Sequence, residues 1–261
     1  MSDELLVDIE SGIATITFNR PAALNALNES AILAFGRACN TVEHDPTVRC
    51  VVLRGAGPAF LSGGDVSFFA DRIDELPRIS SQLTAELHAA ILALRRMGKP
   101  VVASVHGAIA GAGISVMAAC DVVLAADDAR FVPGYASIGT SPDGGATFFL
   151  AQCLGPRRAL AFLLMAEPID ADRALAIGLI DRVVPGCELT AVTRRVVERL
   201  ANGPTLAYAK TKRLVERAAS NDLAEHLAAE ARAFGECAAS EDMREGIRAF
   251  IEKRGPNFRG R

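Results

Sequence analysis

The chain has 261 residues, of which 50% are apolar and 23% are charged, and its formal net charge at pH 7 is −3. This composition is typical of a globular protein and excludes a disordered one. The small negative charge gives no reason to expect a nucleic acid or an anionic membrane as a partner. No apolar run approaches the roughly 18 residues of a transmembrane helix, and the acidic N-terminus lacks the pattern of a signal peptide.

Six cysteines are scattered along the chain, without a C-x-x-C motif and without a His at metal-ligand spacing: Cys39, Cys50, Cys120, Cys153, Cys187 and Cys237. Most of them lie in apolar segments, which indicates reduced, buried thiols in a cytoplasmic protein. The missing ligand spacing argues against a zinc site, so we expect no metal.

The pattern of apolar residues predicts an α/β unit over residues 1–185 and a helical segment over residues 186–261. Strands are predicted from short alternating or continuous apolar runs, and helices from apolar residues that return every third or fourth position. The predicted strands are Leu5–Ile9, Ile13–Phe18, Val48–Arg54, Val101–Val105, Val122–Ala125, Arg130–Val132 and Arg182–Val184. The predicted helices of the α/β unit run from Asn28 or Ser30 to about Val42, over Ser81–Met97, and over Gly111–Cys120, Gly144–Leu154, Arg157–Met165 and Ala171–Ile177. Residues 67–80 have no regular pattern.

Two glycine-rich turns follow predicted strands. One is the loop Gly55–Val66, and the other lies within Ser104–Leu150, around Gly111-Ala112-Gly113. Glycine at this density indicates special backbone angles or the close approach of another group. The residues alone allow a dinucleotide-binding turn, close packing of a helix on a sheet, or an oxyanion hole.

We favour the oxyanion hole. A dinucleotide-binding turn needs G-x-G-x-x-G, and Val116 stands where the third glycine would be. Two backbone N–H groups from separate turns can point at one oxygen, and a helix N-terminus adds partial positive charge. Backbone donors need space rather than a particular side chain, which suits Gly63-Gly64 and Ala112.

Several motifs occur in a fixed order along the whole chain. They are NRPAALNAL at residues 19–27, GPAFLSGGD at 57–65, GKPVVA at 98–103, HGAIAGAG at 106–113, Cys120-Asp121, and FIEKR at 250–254. Each motif is weakly specific alone, but the ordered set resembles the enoyl-CoA hydratase/isomerase (crotonase) family. The resemblance implies a crotonase-like spiral of ββα units, a helical C-terminal segment that makes homotrimers or hexamers, and an acyl-CoA thioester ligand.

The resemblance also assigns roles by position. Gly64 and Ala112 match the two residues whose N–H groups hold the thioester oxygen, and Ala112 stands where the family usually has Gly. Coenzyme A enters as part of the substrate, so no separate cofactor is expected. The residues that match the family's substrate and CoA contacts are Ala22, Ala23, Leu24, Ser62, Gly63, Asp65, Val66, Gly111, Phe250 and Lys253. Asp65 is expected to hold a turn rather than act as an acid, and a solvated charge stays open for Lys253.

The two Glu residues with which the family's hydratases place and activate water are missing. Ser115 and Tyr135 occupy those positions, and neither has a suitable pKa for a base near neutrality. Ordinary hydration is therefore not expected. Tyr135 is expected to contact the acyl chain or donate to the thioester.

Asp143 matches a position that carries an Asp or Glu in several of the family's enoyl-CoA isomerases. Such an enzyme removes a proton from C2, holds the dienolate in its oxyanion hole, and returns the proton to C4. A structural interpretation also stays open, because Asp143 precedes two glycines and could cap a helix that starts near Gly144.

Three other functions stay open. Asp143 also matches the nucleophile of the family's aryl-CoA dehalogenases, but their His base is not matched, since Leu92 occupies the expected region and His88 is one turn away. An unusual hydratase could activate water with Asp143 alone. A non-catalytic acyl-CoA-binding protein is the remaining alternative.

Overall fold

Nine strands form two sheets and eleven helices surround them in residues 4–261, the part of the chain that this computed structural model describes. The strands are β1 (Leu5–Glu10), β2 (Ile13–Phe18), β3 (Cys50–Gly55), β4 (Val101–Val105), β5 (Ala108–Ala110), β6 (Val122–Ala126), β7 (Arg130–Val132), β8 (Ile169–Asp170) and β9 (Arg182–Val184). The helices are α1 (Glu29–His44), α2 (Val66–Ala70), α3 (Leu76–Arg96), α4 (Ala112–Ala118), α5 (Ala146–Leu154), α6 (Pro156–Met165), α7 (Ala171–Ala176), α8 (Leu189–Ala201), α9 (Thr205–Arg217), α10 (Leu223–Ala238) and α11 (Glu241–Ile251).

The larger sheet has the order β1-β2-β3-β4-β6-β9, and only the β1–β2 hairpin is antiparallel. Its parallel strands are apolar on both faces because helices cover both sides. The main core lies on the face of α1, α3 and α4, and α8 covers the other face over Val52, Val102 and Leu124. The smaller sheet has the order β5-β7-β8. The predicted α/β class with a helical C-terminal segment is confirmed.

Helix α1 is tied at both ends. The side chain of Asn28 accepts the Ala31 N–H at 2.9 Å, as an N-cap does. At the other end, the buried ammonium of Lys99 donates to the carbonyl oxygens of Val42 and Asp45, at 2.6 Å each. The GKP turn before β4 therefore satisfies the last carbonyls of α1, which a helix otherwise leaves unpaired.

The prediction that residues 67–80 lack regular structure is wrong for most of that stretch. A short helix, α2, starts at Val66, and α3 starts at Leu76 rather than at Ser81. Pro77 lies in the first turn of α3, where a missing N–H costs nothing. Strands β5 and β8 were not predicted, because three and two residues are too few to show alternation.

The expectation that most cysteines are buried is half correct. All six thiols are free, but Cys153 and Cys187 are exposed and Cys237 is half-buried. Burial raises the pKa of Cys50 to about 12. No cluster of His, Cys, Asp or Glu that could hold a metal ion occurs in residues 4–261. Within the same residues, no helix has the length and apolarity needed to cross a membrane.

The C-terminal tail returns to the start of β3. The buried carboxylate of Asp242 accepts the N–H groups of Arg259 and Gly260, at 2.6 and 2.8 Å. The guanidinium of Arg49 donates to the carbonyl of Phe258 at 2.9 Å and to that of Gly203 at 2.6 Å. These bonds fix the end of the helical segment against the sheet.

Candidate active site

The two glycine-rich turns lie side by side. Leu61 bridges to β5, where it accepts the Ala110 N–H at 3.0 Å. A Cβ on Gly113 would overlap the carbonyl oxygen of Leu61, so α4 can start this close only because residue 113 is glycine. A Cβ on Gly111 would lie 3.7 Å from the Cα of Gly63, which shows how closely the turns approach.

Two backbone N–H groups are left without an acceptor where these turns meet. The neighbouring amides are used: Asp65 donates to Leu27 at 2.9 Å, and Gly111 donates to Val132 at 3.0 Å. Among residues 4–261, nothing accepts the N–H of Gly64 or that of Ala112. Ala112 is the first residue of α4, where helical N–H groups are unpaired and the dipole is positive. The pair has the properties that an oxyanion hole requires.

The backbone expected to cradle CoA forms one continuous surface beside these N–H groups. The Ser62 N–H donates to Leu24 at 3.1 Å, which joins the 22–24 turn to the 62–66 turn. Asp65 is structural, as expected, because it caps α2 through the Phe68 N–H at 3.2 Å and pairs with Arg20 at 2.9 Å.

Phe250 and Lys253 are exposed, and within residues 4–261 neither forms a hydrogen bond with these two turns. Phe250 is 86% exposed near the end of α11. Lys253 is also exposed, and its ammonium has no hydrogen bond or ion pair with residues 4–261. A contact of either residue with CoA therefore stays a prediction.

The two positions that lack the hydratase acids lie against Asp143. The hydroxyls of Ser115 and Tyr135 are 2.7 Å apart, and Tyr135 donates to Oδ1 of Asp143 at 2.9 Å. Ser115 donates to the backbone carbonyl of Asp143 at 2.8 Å. Burial and the neighbouring Asp143 raise the pKa of Tyr135 well above its usual range, so the phenol remains a neutral donor. The sequence separated these residues, and the fold brings them together.

Asp143 is not the N-cap of the following helix, which corrects that interpretation. Helix α5 starts at Ala146, and no side chain caps it. Gly144 and Gly145, with φ of 58° and 81°, separate Asp143 from the helix. A Cβ on Gly144 would lie 2.7 Å from that of Ser115, so the turn packs against Ser115 only with glycine there. The carboxylate is held by the Tyr135 hydroxyl instead of capping the helix.

His88 was set aside by spacing, and the structure brings it to this loop. Its Nε2 accepts the Gly144 N–H at 3.0 Å. As an acceptor, Nε2 leaves the ring proton on Nδ1. The available signal in the sequence was a His beside the apolar stripe of α3, next to Leu87.

Comparison with known proteins agrees with this geometry. Residues 8–261 match the family described as enoyl-CoA hydratase/isomerase. The chain is 39% identical over 254 residues to a probable enoyl-CoA hydratase of Rhodobacter capsulatus, covering 97% of each protein. It is 33% identical over 264 residues to a trans-2-decenoyl-[acyl-carrier-protein] isomerase of Streptococcus mutans, covering 99% of this chain and 98% of that protein.

A solved structure of a putative enoyl-CoA hydratase/isomerase from Mycobacterium abscessus matches with a TM-score of 0.95 at 32% identity. The match covers 98% of this chain and 100% of the other. The chain belongs to the enoyl-CoA hydratase/isomerase family and has the crotonase fold. It is therefore an enzyme of a family that acts on acyl-CoA thioesters.

Proposed function

We propose that this protein is an enoyl-CoA isomerase that moves a C=C bond from the 3,4 to the 2,3 position, with Asp143 as the proton carrier. The observation that carries the proposal is the state of the Asp143 carboxylate. Oδ1 is fixed by the Tyr135 hydroxyl at 2.9 Å, whereas Oδ2 has no hydrogen-bond partner among residues 4–261. One oriented carboxylate with one free oxygen suits a group that must take up a proton and give it back.

The reaction balances without water or cofactor. Oδ2 of Asp143 takes the proton from C2, and the electron pair of that C–H bond forms the C1=C2 bond of a dienolate. The negative charge moves to the thioester oxygen, where the N–H groups of Gly64 and Ala112 stabilise it. The Asp143 carboxyl then returns the proton to C4, the carbonyl re-forms, and the new double bond lies between C2 and C3.

Ser115 and Tyr135 give the site its preference for isomerisation over hydration. Hydration needs groups that place a water and deprotonate it. Both hydroxyl protons are used here, that of Tyr135 on Oδ1 of Asp143 and that of Ser115 on the Asp143 carbonyl, and the raised pKa of Tyr135 prevents it from acting as a base. Among the relatives, the Streptococcus mutans protein is named an isomerase of a 2-decenoyl thioester, which supports a double-bond shift on this scaffold.

Assembly into homotrimers or hexamers is part of the proposal. Large apolar side chains are exposed on α6 and on the C-terminal helices: Leu160, Leu164, Met165, Phe234, Phe250 and Ile251. Burial of such side chains between subunits removes apolar surface from water. Phe250 and Lys253 would then contact the adenine and phosphate end of CoA in a neighbouring subunit. Light scattering behind size-exclusion chromatography tests the assembly, and a monomer at micromolar concentration contradicts it.

The activity is tested with a 3-enoyl-CoA and a 2-enoyl-CoA, in water and in D₂O, following both double-bond position and hydration. We expect isomerisation without 3-hydroxyacyl-CoA. The variant Asp143→Asn should lose more than a hundredfold in kcat while it still binds a saturated acyl-CoA. Rapid formation of 3-hydroxyacyl-CoA, or an Asn variant with unchanged activity, overturns the proposal.

Hydrolytic dehalogenation of an aryl-CoA is the second candidate function, and the position of His88 beside the Asp143 loop is the observation in its favour. Asp143 would attack an electron-poor ring carbon and expel a leaving group, and His88 would activate water against the resulting ester. Its Nε2 is occupied by the Gly144 N–H at 3.0 Å, so the imidazole would first have to turn. Release of chloride from 4-chlorobenzoyl-CoA would identify this reaction.

A further inference from the structure

A groove of about 480 Å³ runs between α3 and α5 from the loop that carries Asp143. Gly144 and His88 lie together at one end, joined by their hydrogen bond of 3.0 Å. Arg95 lies further along α3, and its guanidinium is 5.7 Å from the ring of Phe149 on α5. From His88 to Arg95 the helix rises about 10 Å.

The walls of the groove are apolar and partly open to solvent. Ile91 and Leu92 line it from α3, and Phe148 and Phe149 line it from α5. Leu92 and Phe148 are each 60% exposed. Adjacent exposed apolar side chains around a concave surface are a common mark of a binding site for an apolar group.

The far end of the groove has charged residues but no free charge. The guanidinium of Arg95 pairs with Glu216 at 2.8 Å and with Asp121 at 3.2 Å. Asp121 is also paired with Lys212, at 2.8 Å. Two cations and two anions therefore neutralise each other. A ligand that ends in a carboxylate would have to break one of these pairs, whereas a hydrocarbon end would not.

We propose that this groove binds the hydrocarbon end of the acyl chain and selects uncharged acyl groups of medium length. The inference rests on the proposed function only in that the ligand is an acyl-CoA thioester. Gly144, which lines the groove, directly follows Asp143 in the chain, so the groove begins beside the residue that we propose as the proton carrier. Residues 67–80 do not line this groove.

The proposal is tested by binding of saturated thioesters, which contain no double bond and cannot be isomerised. Isothermal titration with acetyl-CoA, octanoyl-CoA and suberyl-CoA compares a short chain, a medium chain, and a chain of similar length with a terminal carboxylate. We expect octanoyl-CoA to bind at least tenfold more tightly than acetyl-CoA, because it buries apolar surface of the groove. Suberyl-CoA should bind no better than acetyl-CoA. Equal affinity of the octanoyl and acetyl thioesters overturns the inference.

Two variants test whether the preference for octanoyl-CoA arises from this groove. Leu92→Asn and Phe148→Ser should each weaken octanoyl-CoA at least fivefold and leave acetyl-CoA unchanged. The matched control is Leu175→Asn, since Leu175 is 42% exposed on α7, outside the groove and outside the apolar surface proposed for assembly. Unchanged octanoyl affinity in both groove variants contradicts the proposal. A reduced assembly size in Leu92→Asn but not in the control also contradicts it, because the groove would then be a subunit contact.

These measurements separate the two proposals. The Asp143→Asn variant should keep the full preference for octanoyl-CoA even though turnover is lost. If isomerisation is absent in the wild type but the octanoyl preference and its loss in Leu92→Asn are present, the groove assignment stands and the reaction assignment fails.

Discussion

The Nε2 of His88 accepts the N–H of Gly144 at 3.0 Å, so helix α3 holds the loop that carries Asp143. Removal of this acceptor in His88→Ala leaves the Gly144 N–H without a partner and loosens the carboxylate. We expect kcat for isomerisation to fall about tenfold, as for loss of roughly 1.4 kcal/mol of positioning energy. The side-chain carbonyl of His88→Gln can accept the same N–H, so this variant should recover most of the rate. Equal rates in Ala and Gln variants would assign His88 another role.

The phenol of Tyr135 should matter through Asp143 rather than through folding. Tyr135→Phe removes the donor to Oδ1 and keeps the buried ring, so the melting temperature should change little. We expect kcat to fall about tenfold with KM unchanged, because a charge-assisted hydrogen bond contributes roughly 1.5–3 kcal/mol. A kcat equal to that of the wild type would show that Tyr135 serves packing alone.

Glycine at position 113 should be required for the approach of the two turns. A Cβ there overlaps the carbonyl of Leu61, so Gly113→Ala forces the turns apart and should cost about 1–3 kcal/mol of unfolding free energy. The control is Gly235→Ala, a helical position where a Cβ meets nothing within 4 Å. That change should be neutral or stabilising. Urea denaturation measures both, and equal stability of the two variants contradicts the prediction.

Lys99 should contribute to stability through the end of α1. Lys99→Met retains most of the buried stem and removes an ammonium that donates to three carbonyls. We expect a loss of about 2 kcal/mol, typical of hydrogen bonds to a charged group, in chemical denaturation. Lys210→Met is the control, because its pair with the exposed Glu236 lies at the surface and should contribute less than about 1 kcal/mol.

The C-terminal tail should loosen in acid. The guanidinium of Arg254 and the N–H of Asn257 lower the pKa of Glu245 from its ordinary 4.5 to about 2. Because the folded-state pKa is the lower one, this contribution is complete above about pH 4.5 and is lost as the pH falls toward 2. Hydrogen exchange of residues 254–261 should therefore accelerate across that range. Glu245→Gln should show fast exchange already at pH 6, and protection equal to the wild type there would contradict the assignment.

Local patterns in the sequence were sufficient for the main elements and for the two glycine-rich turns. Apolar periodicity identifies α1 and the buried strands, because burial on one or both faces leaves a direct trace in residue order. Gly63 and Gly113 can also be recognised in the sequence, because backbone that lies this close to other backbone leaves no room for a side chain. The start of α3 was missed, because serines and a proline hide a helix that tertiary packing stabilises.

The surroundings of Asp143 were decided only by tertiary structure. In the sequence, Ser115 and Tyr135 are known only as the residues that replace the two hydratase Glu residues. Asp143 is known only as a residue in a glycine-rich turn. In the fold, the Tyr135 hydroxyl bonds Oδ1 at 2.9 Å, and His88 and Ser115 hold the loop from two sides. Residue spacing predicts the period of a helix or strand. It does not predict that α3, α4 and two loops come together around one carboxylate. That meeting depends on how the elements pack, and it leaves Asp143 beside Tyr135 rather than at the cap of α5.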